Sequence, residues 1–211
     1  MSTPLHELCD IAATFYQKGL AFGSTGNLSV RVGEEIWVTP TGQALRDLTP
    51  DDLACIDEQG VARNDRKASK EFPFHLAAYR AAGDRAHAIV HLHAHYTVAL
   101  SCLQDLPDTD PLPPITPYYL MRVAPLRVLP YFRPGSQELA DAVGEAAADH
   151  DCLLLRNHGA ICLGDTLSEA ADRMEELEET ARLFFTLEGR QLRTLTESEQ
   201  EEIWATFRAK A

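Results

Sequence analysis

Residues 88–101 read AIVHLHAHYTVALS and place three histidines at alternate positions of an otherwise apolar run. In an extended strand, alternate side chains lie on the same face, so His91 and His93 are expected to point the same way. His95 shares that face only if the strand continues to it. A histidine-bearing strand packed in the core is one interpretation of this run, and a metal site is the other.

A metal site at this run needs a ligand from another part of the chain. Two imidazoles do not satisfy a Zn²⁺ ion, which takes at least three protein ligands in most protein sites. The stretch RNHGA offers His158 in a turn between two apolar runs. This spacing favours a metal site with His91 and His93. The other four histidines lack such a context and are expected on the surface or on helix faces: His6, His75, His87 and His150.

The composition restricts the class of protein. The chain has 211 residues, 45% of them hydrophobic and 24% charged, which suits one globular domain over residues 1–211. Its formal net charge of −13 disfavours binding to nucleic acids or to anionic membranes. No run is long enough to span a membrane, and the first ten residues lack the features of a secretory signal. The five scattered cysteines form no CxxC pair and suggest reduced thiols in the cytoplasm.

The pattern of apolar residues predicts an α/β protein. Helices are expected in six segments: 4–19, 69–82, 96–103, 138–150, 166–189 and 198–210. Strands are expected in a hairpin at 28–40, a strand–turn–strand unit at 53–63, a strand at 86–95 and a buried hairpin at 152–164. The proline-rich segment 106–121 is expected to have no regular structure. Because strands and helices interleave without a regular βαβ repeat, we expect a mixed, mostly antiparallel sheet flanked by helices.

Three short stretches are candidates for binding an anion. In ASKEF, Ser69 is a candidate helix N-cap, with Lys70 and Glu71 in the first turn, where free N–H groups favour negative charge. A capped helix with an exposed charge pair is the simpler interpretation. The turns STGN (24–27) and TPTG (39–42) offer hydroxyls and backbone amides of the kind that surround phosphates.

Taken in order, five of these motifs resemble the class II aldolase/adducin family, which includes zinc-dependent sugar-phosphate aldolases such as L-fuculose-phosphate aldolase. The motifs are GSTGNLSVR, WVTPTG, SKEFPFHLAAY, AIVHLHAH and LLLRNHGAICLG. The resemblance extends from the first helix to about Gly189. It implies a class II aldolase-like α/β sandwich, a homotetramer with sites at subunit interfaces, and a phosphorylated small-molecule substrate.

The resemblance also implies roles for single residues. His91, His93 and His158 match the zinc-binding histidines, with Mn²⁺ or Co²⁺ as alternative ions. Glu71 matches the acid/base, which can also approach the metal. Six residues match the substrate-phosphate loops: Gly26, Asn27, Thr41, Gly42, Ser69 and Lys70. A tyrosine from a neighbouring subunit donates a proton in family members, and PYYLMR offers Tyr118 or Tyr119 for this role, of which we favour Tyr118.

Within this family, the chain is more similar to the 3-oxo-tetronate 4-phosphate decarboxylase branch. Lys70 stands where the aldolase pattern has a second serine, and LPPITPYYLMRV, LPYFRPG and EELEETARLFF resemble that branch. The resemblance implies a zinc-dependent lyase that converts a phosphorylated four-carbon 3-oxo sugar acid to dihydroxyacetone phosphate and CO₂ through a metal-stabilised enediolate.

Two alternative functions stay open from the sequence. One is a sugar-phosphate aldolase that uses the same metal and phosphate loops for retro-aldol cleavage. The other is a non-catalytic, adducin-like binding module, which has no need of a complete metal set together with Glu71.

Overall fold

The strands form one sheet in the computed structural model, which describes residues 3–207. Seven strands are arranged in the order β3-β2-β1-β4-β7-β6-β5. Their bounds are β1 Asn27–Val32, β2 Glu35–Val38, β3 Ala54–Asp57, β4 Ala88–Leu92, β5 Leu126–Leu129, β6 Cys152–Leu155 and β7 Gly159–Gly164. All neighbouring strands are antiparallel except β5 and β6, which are parallel. The predicted mixed, mostly antiparallel sheet is therefore confirmed.

Seven α-helices surround this sheet within the described residues. They are α1 Pro4–Gln17, α2 Phe72–Ala82, α3 His95–Ser101, α4 Pro117–Arg122, α5 Gln137–Ala147, α6 Leu167–Thr186 and α7 Glu197–Phe207. The last three residues of the helix predicted at 198–210 lie outside the described part of the chain. The prediction of a single domain over residues 1–211 stays a prediction.

The sheet separates two apolar cores, one on each face. Helices α1, α3, α4 and α6 contribute to the first core, and α2 and α5 contribute to the second. Strand β4 contributes side chains to both cores, because Val90 faces the first core and its neighbour Ile89 faces the second. His91 has the same parity as Ile89, and its ring meets Phe74 of α2 edge-on at 5.3 Å between centroids. The alternation of side chains therefore directs His91 toward the α2 face of the sheet.

The prediction that segment 106–121 lacks regular structure is wrong at its C-terminal end, where α4 begins. Pro117 occupies the first turn of this helix, where the missing N–H of proline removes no hydrogen bond. The hydroxyl of Thr116 accepts a hydrogen bond from the Tyr119 backbone N–H at 3.2 Å and caps the helix. The proline that suggested irregular structure is thus a helix-starting residue.

Two other predicted elements differ from those observed. The second strand of the 53–63 unit does not form, because only an isolated bridge between Ile56 and Ala62 continues the pairing beyond β3. Helix α2 begins at Phe72, three residues later than predicted, so Ser69 is not its N-cap. The Ser69 hydroxyl accepts a hydrogen bond from the Glu71 backbone N–H at 3.3 Å and shapes a turn before the helix.

No helix among residues 3–207 is long and apolar enough to cross a membrane.

Candidate metal centre and phosphate pocket

Four side chains from three parts of the chain converge beside the sheet. Glu71, His91, His93 and His158 each offer a ligand atom, and these atoms all lie within 4.8 Å of one another. His91 is the fourth residue of β4 and His93 follows the strand, while His158 lies in the β6–β7 turn and Glu71 directly precedes α2. The sheet brings the turn to the histidine pair, because β4 and β7 are antiparallel neighbours.

The β6–β7 turn has a sequence that suits its close approach to β4. Asn157 has a φ of 55°, in the left-handed region that asparagine tolerates better than most residues. A Cβ atom on Gly159 would collide with the carbonyl oxygen of Leu92. The sequence Asn157-His158-Gly159 therefore allows the turn to pack closely against the end of β4, which places His158 next to His93.

The ring nitrogens are arranged as metal ligands. Nδ1 of His91 donates a hydrogen bond to the Ala160 carbonyl at 2.8 Å, so its Nε2 carries a lone pair when the ring is neutral. That Nε2 lies 3.0 Å from Nε2 of His93. Both nitrogens of His158 and Oε1 of Glu71 are buried without a well-formed hydrogen bond among the described residues, and Nε2 of His158 lies 3.3 Å from that Oε1. Buried polar atoms without partners are costly, so this donor set fits a divalent cation.

The electrostatic environment keeps the candidate ligands in their metal-binding forms. Burial lowers the pKa of His91 to about 3, against the opposing effect of Glu71, and burial also lowers the pKa of His93. Burial alone would raise the pKa of Glu71, but the electrostatic effect of His91 and the contacts with His158 and Asn27 hold it well below its usual range. At neutral pH the site therefore combines the neutral imidazoles of His91 and His93 with an ionised carboxylate.

The residues predicted to bind phosphate line one pocket with this cluster. The pocket has a volume of about 400 Å³, and its lining includes all six predicted phosphate residues with Glu71, His93 and His158: Gly26, Asn27, Thr41, Gly42, Ser69 and Lys70. Lys70 is the one cationic side chain among the described residues that line it. In a chain of net charge −13, this lysine gives the pocket a positive charge.

Backbone hydrogen bonds hold the three loops together. The Thr41 N–H donates to the Lys67 carbonyl at 3.0 Å, and the Ser69 N–H donates to the Thr39 carbonyl at 3.1 Å. Thr39 is also bonded to Leu28, through its own N–H and through its hydroxyl oxygen. The loops around Thr39 and Ser69 are thereby joined to each other and to Leu28 of β1, the strand that follows the turn at 24–27.

His75 was expected on the surface or on a helix face, and it does lie on α2, but sequence reasoning missed its burial and its contact with Asn27. Its side chain is fully buried, and its Nε2 lies 2.5 Å from Oδ1 of Asn27. Nδ2 of Asn27 in turn donates to Oε2 of Glu71 at 2.9 Å. A signal for its burial was present, since His75 has helical spacing to Phe72 and Tyr79 on the apolar face of α2.

The two candidate tyrosines lie in different environments on α4. Tyr119 is 1% exposed and donates a hydrogen bond to Asp110 at 3.2 Å, whereas Tyr118 is 56% exposed. Burial raises the pKa of Tyr119 well above its usual range, and Asp110 raises it further. Neither tyrosine lines the pocket of its own chain. Of the two, only Tyr118 has an exposed side chain.

Comparison with protein families decides the classification. Residues 6–185 match the model described as "Class II Aldolase and Adducin N-terminal domain". The chain belongs to the class II aldolase and adducin family. The expected class II aldolase-like sandwich is therefore confirmed, and the candidate metal centre lies within the matched region.

The relatives in this family include decarboxylases and aldolases. A 3-oxo-tetronate 4-phosphate decarboxylase from Haemophilus influenzae is 44% identical over 93% of both chains. An L-fuculose phosphate aldolase from Methanococcus maripaludis is 36% identical over 87% of this chain and 97% of its own. The crystal structure of YgbL from Klebsiella pneumoniae superposes with a TM-score of 0.92 at 43% identity, covering 95% of this chain and 97% of that one. This member of the class II aldolase and adducin family is thus an enzyme of the lyase class.

Proposed function

We propose that this protein decarboxylates a 3-oxo-tetronate 4-phosphate to dihydroxyacetone phosphate and CO₂. One observation carries this proposal: the candidate metal cluster and the three candidate phosphate loops share one pocket. Glu71, His93 and His158 line this pocket, and His91 completes the cluster behind them. The 44% identity to a decarboxylase of that name supports the choice of substrate.

The reaction demands three tasks of the protein. Loss of CO₂ breaks the bond between carbons 1 and 2, and the electron pair moves onto the 3-oxo group to give an enediolate. A proton must then be added to carbon 2. The protein therefore has to hold the phosphate, stabilise the negative charge on oxygen and deliver one proton to carbon.

We assign the metal to Glu71, His91, His93 and His158, with Zn²⁺ as the proposed ion and Mn²⁺ or Co²⁺ as alternatives. When bound, a divalent cation supplies Lewis-acid chemistry that stabilises negative charge on the substrate's oxygens. The three imidazoles and one carboxylate suit zinc, which binds nitrogen and oxygen ligands in compact sites.

Glu71 is the proposed acid/base. Its Oε2 is held by Asn27, whereas its Oε1 has no hydrogen-bond partner among the described residues, and Glu71 lines the pocket. As an ionised carboxylate, it is suited to accept the proton of the substrate's 2-hydroxyl and to return it to carbon 2. The 2-oxygen then takes up the one proton that each released CO₂ requires, from water or from a second proton donor. General acid–base catalysis of this kind typically contributes about 10²–10⁴-fold to the rate.

The proposed phosphate site consists of Gly26, Asn27, Thr41, Gly42, Ser69 and Lys70. Asn27 commits its side chain to Glu71 and His75, so we assign its phosphate contact to the backbone. Lys70 adjoins Ser69 and supplies the positive charge that attracts the phosphate group.

We further propose a homotetramer in which Tyr118 acts as a second proton donor in a neighbouring subunit's site. Its exposure supports this assignment over that of the buried Tyr119. A cytoplasmic location is the compartment that suits the free thiols of this chain.

The alternative is a sugar-phosphate aldolase, supported by the 36% identity to an L-fuculose phosphate aldolase. Both reactions leave an enediolate of dihydroxyacetone phosphate, but decarboxylation releases CO₂ and the aldolase reaction releases an aldehyde. The decisive experiment incubates the metal-loaded protein with stereoisomers of 3-oxo-tetronate 4-phosphate and with L-fuculose 1-phosphate. We expect dihydroxyacetone phosphate with equimolar CO₂ from a tetronate; an aldehyde from fuculose phosphate alone would contradict the proposal.

A further inference from the structure

A chain of buried hydrogen bonds extends from Glu71 away from the pocket. Asn27 joins Glu71 to His75 at 2.9 and 2.5 Å. Nδ1 of His75 lies 2.8 Å from the hydroxyl of Ser29, which lies 2.8 Å from the hydroxyl of Tyr79. All five side chains are buried, and the last three do not line the pocket.

One direction of donation satisfies every group in this chain of hydrogen bonds. The ionised carboxylate of Glu71 can only accept, so Asn27 must turn its NH₂ group to Glu71 and its carbonyl oxygen to His75. Nε2 of His75 must then carry the proton, which leaves Nδ1 free to accept from the Ser29 hydroxyl. The Ser29 oxygen accepts from Tyr79. Burial lowers the pKa of His75 to about 3, so the ring is neutral and has one N–H to donate.

The amide of Asn27 determines whether this series of hydrogen bonds can transfer a proton or only orient side chains. An amide does not pass a proton from one side to the other at ordinary pH, so Asn27 interrupts any proton path between His75 and Glu71. The chain of hydrogen bonds can, however, fix the orientation of the amide, because reversing it would place two oxygens against each other at Glu71.

We propose that His75 is a positioning residue for the acid/base: with Ser29 and Tyr79 behind it, it fixes the Asn27 amide so that Oε2 of Glu71 is held and Oε1 stays beside His158, where the metal and the substrate meet it. This inference rests on the proposed role of Glu71 in decarboxylation. It assigns a part in the reaction to three residues that do not line the pocket.

The first test reads the tautomer of His75 directly. Nitrogen NMR on the metal-loaded, ¹⁵N-histidine-labelled protein at neutral pH distinguishes a protonated Nε2 from a protonated Nδ1, and the His75→Gln variant assigns the signal. We expect His75 to be protonated at Nε2 alone. Protonation at Nδ1, or at both nitrogens, would overturn the proposal. This readout does not depend on which substrate the protein uses.

The second test separates positioning from mere stability. His75→Phe keeps a ring that can stack on Phe74, as His75 does at 4.6 Å between centroids, but it removes the donor to Asn27. We expect kcat to fall about 10–100-fold with an unchanged KM, as is typical when the hydrogen-bond support of a site is removed. His75→Gln restores an N–H donor and should recover most of this loss, with bound metal unchanged in both variants.

If His75→Phe does not fold, Ser29→Ala provides the same test, because it removes only one hydroxyl group. It breaks the chain of hydrogen bonds one step further from the pocket and should lower kcat in the same direction at unchanged KM. Wild-type kcat in a folded His75→Phe protein, or in Ser29→Ala, would refute the positioning role. If the decarboxylation itself is not observed, the NMR result still decides the state of His75, so the two failures can be told apart.

Discussion

In the candidate metal centre, hydrogen bonds within the protein occupy one polar atom of a ligand side chain and leave the other polar atom facing the cluster. Nδ1 of His91 donates to the Ala160 carbonyl, so Nε2 faces the cluster. Oε2 of Glu71 accepts from Asn27, so Oε1 faces the cluster. Each residue thus turns one atom toward the cluster: Nε2 of His91 lies 3.0 Å from Nε2 of His93, and Oε1 of Glu71 lies 3.3 Å from Nε2 of His158. This division of labour within a side chain distinguishes the proposed metal ligands from ordinary buried polar groups, whose atoms are all paired.

Replacing Glu71 by Gln tests the acid/base at this scale. The amide keeps the shape of the side chain and can accept from Asn27, but it cannot take up and return a proton. We expect kcat to fall about 10²–10⁴-fold while most of the bound metal is retained through the three imidazoles. Metal analysis and steady-state kinetics measure both, with the exposed Glu145→Gln as the control. A wild-type kcat would remove Glu71 from the chemistry.

The buried His75 predicts a pH dependence of stability. Its pKa is about 3 in the folded chain against 6.5 for a free histidine, because burial disfavours the charged ring. Below the unfolded pKa, the unfolded chain therefore binds a proton that the folded chain does not, and stability is lost as pH falls. Relative to His75→Gln, the metal-free wild-type protein should lose about 1.4 kcal/mol of unfolding free energy per pH unit between about pH 6 and about pH 3. Parallel urea-unfolding profiles for the two proteins would contradict the buried neutral ring.

The β6–β7 turn shows how a secondary-structure element carries a ligand into the site. Gly159 begins β7 against the backbone of Leu92, and a Cβ atom there would force the turn away from β4. Gly159→Ala should therefore destabilise the fold by about 1–3 kcal/mol and weaken metal binding through His158. Asn157→Gly is the matched control, since glycine also adopts the positive φ of this position. Thermal unfolding with a metal titration checks both, and equal behaviour of the two variants would refute the argument.

Sequence patterns predicted the type of an element correctly where the spacing of its apolar residues matched a strand or a helix without ambiguity. The alternation around His91 and the long amphipathic stretch of α6 both gave elements of the correct type. The patterns failed where a local signal had two meanings. Pro117 reads as a helix breaker but starts α4, and Ser69 reads as an N-cap but shapes the turn before α2.

The molecule as a whole brings together residues that the sequence places far apart. The motifs predicted that His91, His93 and His158 could meet, and the pairing of β4 with β7 is the structural reason they do. The network behind Glu71 could not be predicted in the same way. It requires β1 and α2 to pack with Ser29 against both His75 and Tyr79, and such tertiary contacts leave no periodic signal.

Subunit assembly is tested by complementation at this scale. Tyr118→Phe and His158→Ala should each abolish or strongly reduce activity when purified alone. If Tyr118 acts in a neighbouring site, mixed oligomers of the two variants regain activity, because some sites combine an intact metal cluster with an intact tyrosine. Tyr119→Phe is the control, and it should lower stability by about 0.5–1.5 kcal/mol through loss of its bond to Asp110 while activity remains. Inactive mixed oligomers, verified by native mass spectrometry, would contradict the shared site.

The most direct measurement follows metal content and decarboxylation together in the same samples. The wild-type protein is stripped of metal with a chelator, titrated with Zn²⁺, and compared with His158→Ala and with His87→Ala, whose histidine pairs with Asp165 outside the cluster. The account predicts that activity on 3-oxo-tetronate 4-phosphate returns with about one ion per chain in the wild type and in His87→Ala, and that His158→Ala recovers neither metal nor activity. Full activity in the stripped protein, or in His158→Ala without bound metal, would contradict it.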